Sequence, residues 1–339
     1  VRQGKLRIFS TKLAAVPNDE WNLSFRSTAK EFCLFRVGEN GTLRLTNISG
    51  TTPKDNLGYG TPIVISKGNL QIDGGYYCNS LKSFSYSGTP RAAAVVLDGG
   101  NAVINGGRYE GEGCGVAALW DSHLTVNGGY IGGWEKGLYI GQTASVVING
   151  GSFERTKTVG STKQYQTCGV WMDSQGTLTI NGGSFYGDQL GLFVRTAEKA
   201  IIQNGYFWAY NATEQHRGAL AFYSTEIENI TIYNGTFVGD QGITCYNGML
   251  GFYKFKLSEL LPGQTAKYSR IRDDYTGNLD PDAEASVFGE SYLEIDYMLP
   301  QITKQPEAVE VSMGGKMEFT VEAKNGTYYE WEVCDADDE

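Results

Sequence analysis

The sequence lacks the residue patterns that metal-binding and cofactor sites use. Only two histidines are present, and none of the six cysteines forms a Cys-x-x-Cys pair, so no zinc pattern can be drawn. No apolar run approaches the roughly 20 residues of a membrane span, which predicts no membrane insertion. We therefore expect neither a metal ion nor another cofactor.

Positive charge and proline are also scarce. The 28 lysines and arginines are outnumbered by 38 aspartates and glutamates, for a formal net charge of −10, and no basic cluster occurs. Nucleic-acid binding normally needs a basic face, so no nucleic-acid partner is predicted. With only 8 prolines, the 45 glycines do not indicate a disordered linker. They indicate many tight turns.

The glycines belong to an internal repeat. The pattern apolar–x–apolar–Asn–Gly–Gly–x–aromatic occurs as VVINGGSF at 146–153 and LTINGGSF at 178–185, with further copies along the chain. Successive copies are 22 to 32 residues apart, which fits one solenoid coil with loops inserted in some coils. The Asn-equivalent positions are Asn47, Asp73, Asn105, Asn127, Asn149, Asn181, Asn204 and Asn234.

Alternation predicts three short strands in each coil. A first strand follows a glycine about twelve residues before the Asn, a second strand leads into the Asn, and a third surrounds the aromatic residue. In the second strand, Leu124 and Val126 face inward and Thr125 faces outward. The predicted fold is all-β, a single-stranded right-handed parallel β-helix of about eight coils that needs a cap at each end.

Stacked asparagines at a turn between short strands resemble the asparagine ladder of pectate-lyase-like β-helix proteins. The resemblance covers roughly residues 32–245 and implies a fold, because lyases, hydrolases, adhesins and phage tailspikes all share it. It also implies a groove on the first-strand face. Two catalytic patterns found on this fold are absent from the sequence. One combines calcium-binding Asp residues with a basic Arg or Lys, and the other combines clustered Asp residues with a His-Gly motif.

The C-terminal segment differs from the repeat. Residues 302–333 resemble the opening strands of a bacterial Ig-like repeat, on the basis of a Gln-Pro start, alternating strands and Trp331 after a Tyr-rich turn. Such repeats imply an extracellular or cell-surface location, with further Ig-like modules or the cell wall as partners. We predict four parts, namely an N-terminal cap (1–31), the β-helix (32–245), a C-terminal cap (246–299) and a partial Ig-like β-sandwich (300–339).

Several reactive residue types are predicted to be structural. Cys114 and Cys168 share one position two coils apart, about 9.6 Å at about 4.8 Å per coil, whereas a disulfide needs Cα atoms within about 7 Å. Buried free thiols are therefore expected, and Cys245 falls at an inward position. The acidic residues after the third strand lie at least two coils apart, so we expect solvated turn residues rather than a shared acid/base site. These are Glu112, Asp188 and Asp240.

The first strand carries the candidate binding site. Its outward positions on three consecutive coils hold Tyr139, Trp171 and Phe193, which predicts an exposed aromatic ladder able to stack on sugars. The loops 77–92, 154–168 and 208–217 would form the wall of the groove, or they would instead fold over the rings and bury them. The candidate ligand-binding residues are Tyr139, Trp171, Phe193, Tyr165, Arg155, Trp208 and Tyr86.

Three functions remain open from the sequence. The first is a polysaccharide-binding or adhesive module of a secreted or cell-surface bacterial protein, with a glycan as partner. The second is a divergent polysaccharide lyase or glycoside hydrolase, with Asp173 and Arg195 as the catalytic candidates, unless they form a structural salt bridge. The third is a structural stalk or protein-interaction surface, which predicts covered rings. Tests of the second would begin with Glu112, Glu154, Asp173, Arg155 and Arg195.

Overall fold

A computed structural model provides the three-dimensional structure. It describes residues 5–9, 35–51, 62–79, 93–155, 167–209, 218–247, 251–252, 255–256, 265–270, 276–279, 284–285, 289–296, 301–304 and 320–324. Tyr86, Tyr165 and His216, which belong to the predicted groove wall, lie outside the described residues.

The strands wind into eight stacked coils. A strand β1 (Lys5–Phe9) precedes them and pairs in parallel with β3 of the first coil. The first coil comprises β2 (Phe35–Val37), β3 (Thr42–Thr46) and β4 (Gly50–Thr51), the second β5 (Val64–Ser66) and β6 (Asn69–Asn79), the third β7 (Ala93–Gly111), and the fourth β8 (Cys114–Val126) and β9 (Tyr130–Gly133). The fifth coil comprises β10 (Lys136–Gln142), β11 (Ser145–Ile148) and β12 (Ser152–Arg155), the sixth β13 (Cys168–Ser174), β14 (Thr177–Ile180) and β15 (Ser184–Gly187), and the seventh β16 (Leu190–Thr196), β17 (Lys199–Ile202) and β18 (Tyr206–Ala209). The eighth coil comprises β19 (Gly218–Tyr223), a 3₁₀ helix (Ser224–Asn229), β20 (Ile230–Ile232) and β21 (Gly235–Gln241).

The remaining strands follow the eighth coil. β22 pairs in parallel with β19, whereas β28 pairs antiparallel with β21, so parallel stacking on the third-strand side ends at the eighth coil. β29 and β30 form an antiparallel pair in the segment predicted to be Ig-like. These strands are β22 (Ile243–Asn247), β23 (Gly251–Phe252), β24 (Phe255–Lys256), β25 (Thr265–Arg270), β26 (Thr276–Leu279), β27 (Glu284–Ala285), β28 (Gly289–Asp296), β29 (Gln301–Lys304) and β30 (Glu322–Lys324).

The pairing between coils confirms the predicted parallel β-helix. Each strand pairs in parallel with the equivalent strand of the next coil, and inward residues form columns along the solenoid. One such column, fully buried, runs through the first strands. It consists of Val116, Leu138, Val170, Leu192 and Leu220. Because each coil covers the apolar face of the next, burial depends on stacking rather than on any single coil.

The third strands supply an inward column of aromatic rings. Phe185 stacks between Phe153 and Phe207, with ring centroids 5.1 Å and 4.6 Å apart, and Phe207 stacks on Phe237 at 4.8 Å. All four side chains are completely buried. The aromatic position of the repeat therefore fills the core, and the coil spacing holds the rings in face-to-face contact.

The asparagine ladder is present but shorter than the sequence predicted. The side-chain amide of each Asn donates to the side chain one coil earlier, at 2.7 Å, in a chain that begins at the carboxylate of Asp73. Its members are Asp73, Asn105, Asn127, Asn149 and Asn181.

Three of the predicted ladder positions were wrong. The pairing of Ile202 with Ile180 places Gln203 rather than Asn204 at the ladder level, and the same shift displaces Asn234 in the eighth coil. Asn204 and Asn234 instead accept from the amide of the glycine that follows each of them. In the first coil, Leu45 pairs with Ile72, so Thr46 rather than Asn47 lies level with Asp73.

Asp73 makes the start of the ladder sensitive to acid. Burial of its carboxylate raises the pKa, but hydrogen bonds from Asn105 and Gln71 and the guanidinium of Arg44 outweigh burial and lower it from 3.8 to about 2. A carboxylate with a lowered pKa in the folded state stabilises fully above its unfolded pKa, and that contribution disappears as pH falls towards 2. We expect the wild type to lose about 1–2 kcal/mol of unfolding free energy between about pH 4 and pH 2 through this group.

The Asp73→Asn variant tests this expectation by urea unfolding at a series of pH values. The variant lacks the titrating group, so its stability should fall less steeply than that of the wild type below pH 4. Asp121→Asn, which removes an exposed carboxylate outside the ladder, controls for the loss of one charge. Parallel stability curves for wild type and Asp73→Asn would contradict the assignment.

Candidate functional site

The first-strand ladder exists, but its rings are covered. Tyr139 pairs with Trp171, and Trp171 with Phe193, on consecutive coils as predicted. Trp171 and Phe193 are only 9% and 8% exposed, and Tyr139 is half-buried, so the predicted exposure is wrong for two of the three rings. Trp171 and Phe193 contact each other at 4.5 Å and belong to an apolar cluster outside the main core. The alternative of burial holds for them.

A buried lysine contributes to this cluster. Lys136 lies in the same column as Cys114 and Cys168, between them, and is 5% exposed. Its ammonium nitrogen is 5.0 Å from the ring centroid of Trp171 and 5.9 Å from that of Tyr139. Cation–π attraction therefore offsets part of the cost of burying the charge. Nothing in the repeat indicated this role, because the equivalent positions on the other coils hold Ala, Cys, Leu or Gly.

The thiols of Cys114 and Cys168 are free and buried, as expected. Cys245 is also buried, at an inward position in the main core. Burial raises the pKa of Cys114 and of Cys168 to about 12, against the smaller lowering effect of the Lys136 ammonium. Both thiols are therefore protonated at neutral pH, which makes them poor nucleophiles and poor metal ligands.

Asp173 and Arg195 form an ion pair. Arg195 Nη1 is 2.8 Å from Asp173 Oδ2, and the two side chains are 53% and 27% exposed. An exposed pair of this kind contributes about 0–1 kcal/mol. The geometry therefore agrees with the structural alternative, and a catalytic role for the pair stays a prediction.

The turn after the third strand contains buried charges, contrary to expectation. Arg155 pairs with Asp188, and Arg155 Nε donates to the carbonyl oxygen of Trp134 at 3.0 Å. The side chains of Arg155 and Asp188 are only 10% and 11% exposed, and Glu112 is 8% exposed. The prediction that Glu112 and Asp188 are solvated turn residues is therefore wrong. Arg155, which was predicted to line the groove, instead neutralises the buried carboxylate of Asp188. The side chain of Asp240 is outside the described set.

The outward side of the third strands carries a surface that the sequence analysis did not single out. Residues on either side of each inward aromatic position point outward, and the parallel pairing aligns them in two columns. We call this surface the third-strand face. One column contains Tyr76, Arg108, Tyr130, Ser152, Ser184 and Tyr206, and the other contains Cys78, Glu110, Gly132, Glu154, Tyr186 and Trp208.

Aromatic rings dominate one end of the third-strand face. Tyr186 contacts Trp208 edge-on at 5.9 Å and Tyr206 at 6.0 Å. Trp208 is 38% exposed, whereas a ring of this size is usually well buried. The prediction that Trp208 stands in the first-strand groove is wrong, because it lies within β18, whose pairing with β15 points it to this face.

Polar side chains dominate the other end. Glu110 is held by Arg108 at 2.5 Å and accepts a hydrogen bond from the Tyr76 hydroxyl at 2.8 Å. The Arg108 guanidinium also lies 4.1 Å from the ring centroid of Tyr130. Burial, followed by the nearby Glu154 carboxylate, raises the pKa of Tyr130 to about 12. The Tyr76 hydroxyl thus donates to Glu110, and Tyr130 is uncharged at neutral pH beside Glu154.

No protein-family model, curated protein or solved structure matches the chain significantly. Among the residues the structure describes, no helix is long and apolar enough to cross a membrane. Within the same residues, no group of three or more His, Cys, Asp or Glu side chains is arranged to hold a metal ion. The function therefore has to be argued from the surfaces of the solenoid itself.

Proposed function

We propose that this chain is a polysaccharide-binding module of a secreted or cell-surface bacterial protein, and that it binds through the third-strand face. The observation that carries the proposal is the partly exposed aromatic cluster formed by Tyr186, Tyr206 and Trp208, in which Trp208 is 38% exposed. Aromatic rings stack on the apolar faces of sugars, and an exposed cluster of them is costly to leave in water.

The rest of the face suits the hydroxyl groups of a sugar chain. The Glu110 and Glu154 carboxylates and the hydroxyl oxygens of Tyr76 and Tyr130 supply acceptors for sugar hydroxyls, all on the same side of the solenoid. Successive coils are about 4.8 Å apart, close to the length of one sugar residue in an extended polysaccharide. A chain lying along the solenoid axis would therefore meet one row of side chains per sugar.

One observation favours a second candidate function. The burial of Trp171 and Phe193 is what a structural stalk or protein-interaction surface predicts for the first-strand face. In that case the third-strand face would have no affinity for sugars, and the experiment on Trp208 separates the two proposals.

Substitution of Trp208 by alanine tests the proposed function. We expect binding to the polysaccharides recognised by the wild type on a glycan array to weaken at least about tenfold, as for a central aromatic anchor. Trp120→Ala is the matched control, because Trp120 is 55% exposed but lies within β8, outside the third-strand face. Equal losses in both variants, or no glycan binding by a folded wild type, would contradict the proposal and favour the stalk.

A further inference from the structure

The two carboxylates of the third-strand face differ in their partners. Glu110 and Glu154 occupy one outward column, separated by Gly132, which places their Cα atoms about 9.6 Å apart at about 4.8 Å per coil. Glu110 is neutralised by Arg108 and accepts from Tyr76. Within the described part of the chain, no lysine or arginine forms an ion pair with Glu154.

Among the described residues of the face, Glu154 therefore leaves a net negative charge. Its neighbour on the preceding coil is Tyr130, an uncharged side chain whose pKa is raised by burial and by the Glu154 carboxylate. The face holds one guanidinium and two carboxylates, and the whole chain carries a formal charge of −10. A uronate-rich polysaccharide would place further carboxylates against Glu154 and would be repelled.

An ammonium group complements this arrangement in two ways. A half-buried carboxylate without a cationic partner forms a strong charge-assisted hydrogen bond to an ammonium donor. The ring faces of Tyr186, on the next coil, and of Tyr206 and Trp208, one coil further, also attract cations. An ionised carboxylate has about four acceptor positions, so Glu154 can accept from such a ligand beside Tyr130.

We infer that the third-strand face selects an amino-sugar polysaccharide with free ammonium groups, and that Glu154 receives the ammonium group beside the aromatic rings. This inference rests on the proposed function and names its ligand class. Glu154 sets the preference for charge, whereas Trp208 and its neighbours supply binding that does not depend on charge. Loss of either residue therefore has a different consequence.

The test compares three soluble oligosaccharides of equal length by calorimetry, at a pH where amino sugars are protonated. They are a glucosamine oligomer, its fully N-acetylated counterpart and an oligogalacturonate. We expect the wild type to bind the glucosamine oligomer about tenfold more tightly than the N-acetylated one, and the oligogalacturonate most weakly. Added salt should reduce the preference, since partly exposed charges are screened.

The Glu154→Gln variant keeps the size and hydrogen-bonding capacity of the side chain but removes its charge. We expect the two amino-sugar oligomers to bind this variant with nearly equal affinity, while Trp208→Ala weakens both. Glu198→Gln, which removes an exposed carboxylate next to the second strand of the seventh coil, should keep the wild-type preference.

The outcomes distinguish this inference from the proposed function. Binding of the N-acetylated or galacturonate oligomer at least as tightly as the glucosamine oligomer, with loss in Trp208→Ala, overturns the inference and leaves the function standing. A preference that persists in Glu154→Gln also overturns it. If the folded wild type binds none of the three oligomers or any array glycan, both fail.

Discussion

Replacement of Phe185 by alanine is expected to lower the unfolding free energy by about 3–5 kcal/mol. Phe185 is completely buried and stacks between Phe153 and Phe207, at 5.1 Å and 4.6 Å. Truncation removes its own transfer free energy, leaves a cavity and takes a stacking partner from both neighbours. Urea unfolding followed by circular dichroism measures the loss.

Two further variants make the Phe185 result specific. Phe185→Leu keeps most of the volume and should cost clearly less than the alanine variant. Val147→Ala changes a side chain that is 36% exposed on the second strand, and it should stay within about 0.5 kcal/mol of the wild type. A cost below about 1 kcal/mol for Phe185→Ala would show that the coils close over the gap, contrary to the rigid stack described above.

Replacement of Arg155 by leucine is expected to cost a similar amount, about 3–5 kcal/mol. The variant leaves Asp188 buried without its cation, and Asp188 Oδ1 already has no hydrogen-bond partner among the described residues. An uncompensated buried carboxylate is among the most destabilising features that a single substitution can create. The measurement is again urea unfolding at neutral pH.

The double variant Arg155→Leu/Asp188→Leu separates structural from binding roles. Because it removes the orphaned charge, it should regain most of the stability lost in the single variant. If Arg155 instead contacts a ligand, as the sequence suggested, the single variant would stay near wild-type stability and lose glycan binding. Stability near the wild type in Arg155→Leu would therefore revive the groove prediction.

The inward residues of this protein were predictable because their positions repeat. A period of two residues within strands and a recurring Asn-Gly-Gly turn place Val170, Leu178 and Phe185 inside one coil, and the neighbouring coils repeat the choice. The ladder positions were less certain, because a one-residue ambiguity at Gln203-Asn204 could be resolved only by the pairing of Ile202 with Ile180.

The exposure of the outward residues could be determined only from the structure. Alternation correctly placed Tyr139 and Trp171 on the outside of the first strand, yet it could not reveal that Lys136 and other side chains cover this side. The same alternation around Phe207 would have placed Trp208 on the third-strand face. We instead assigned Trp208 to a loop, because strand boundaries are the least certain feature of a sequence-based prediction.

The sequence by itself determined the solenoid, its core columns and its free thiols, because those features follow from local alternation repeated coil after coil. The tertiary structure alone decided which outward rings meet solvent and which carboxylates have cations. Exposure and ion pairing depend on side chains that are distant in the sequence, such as Arg155 with Asp188, Lys136 with Trp171 and Arg195 with Asp173. Among the described residues, Trp208 on the third-strand face is therefore more exposed than Trp171 and Phe193 on the first strand.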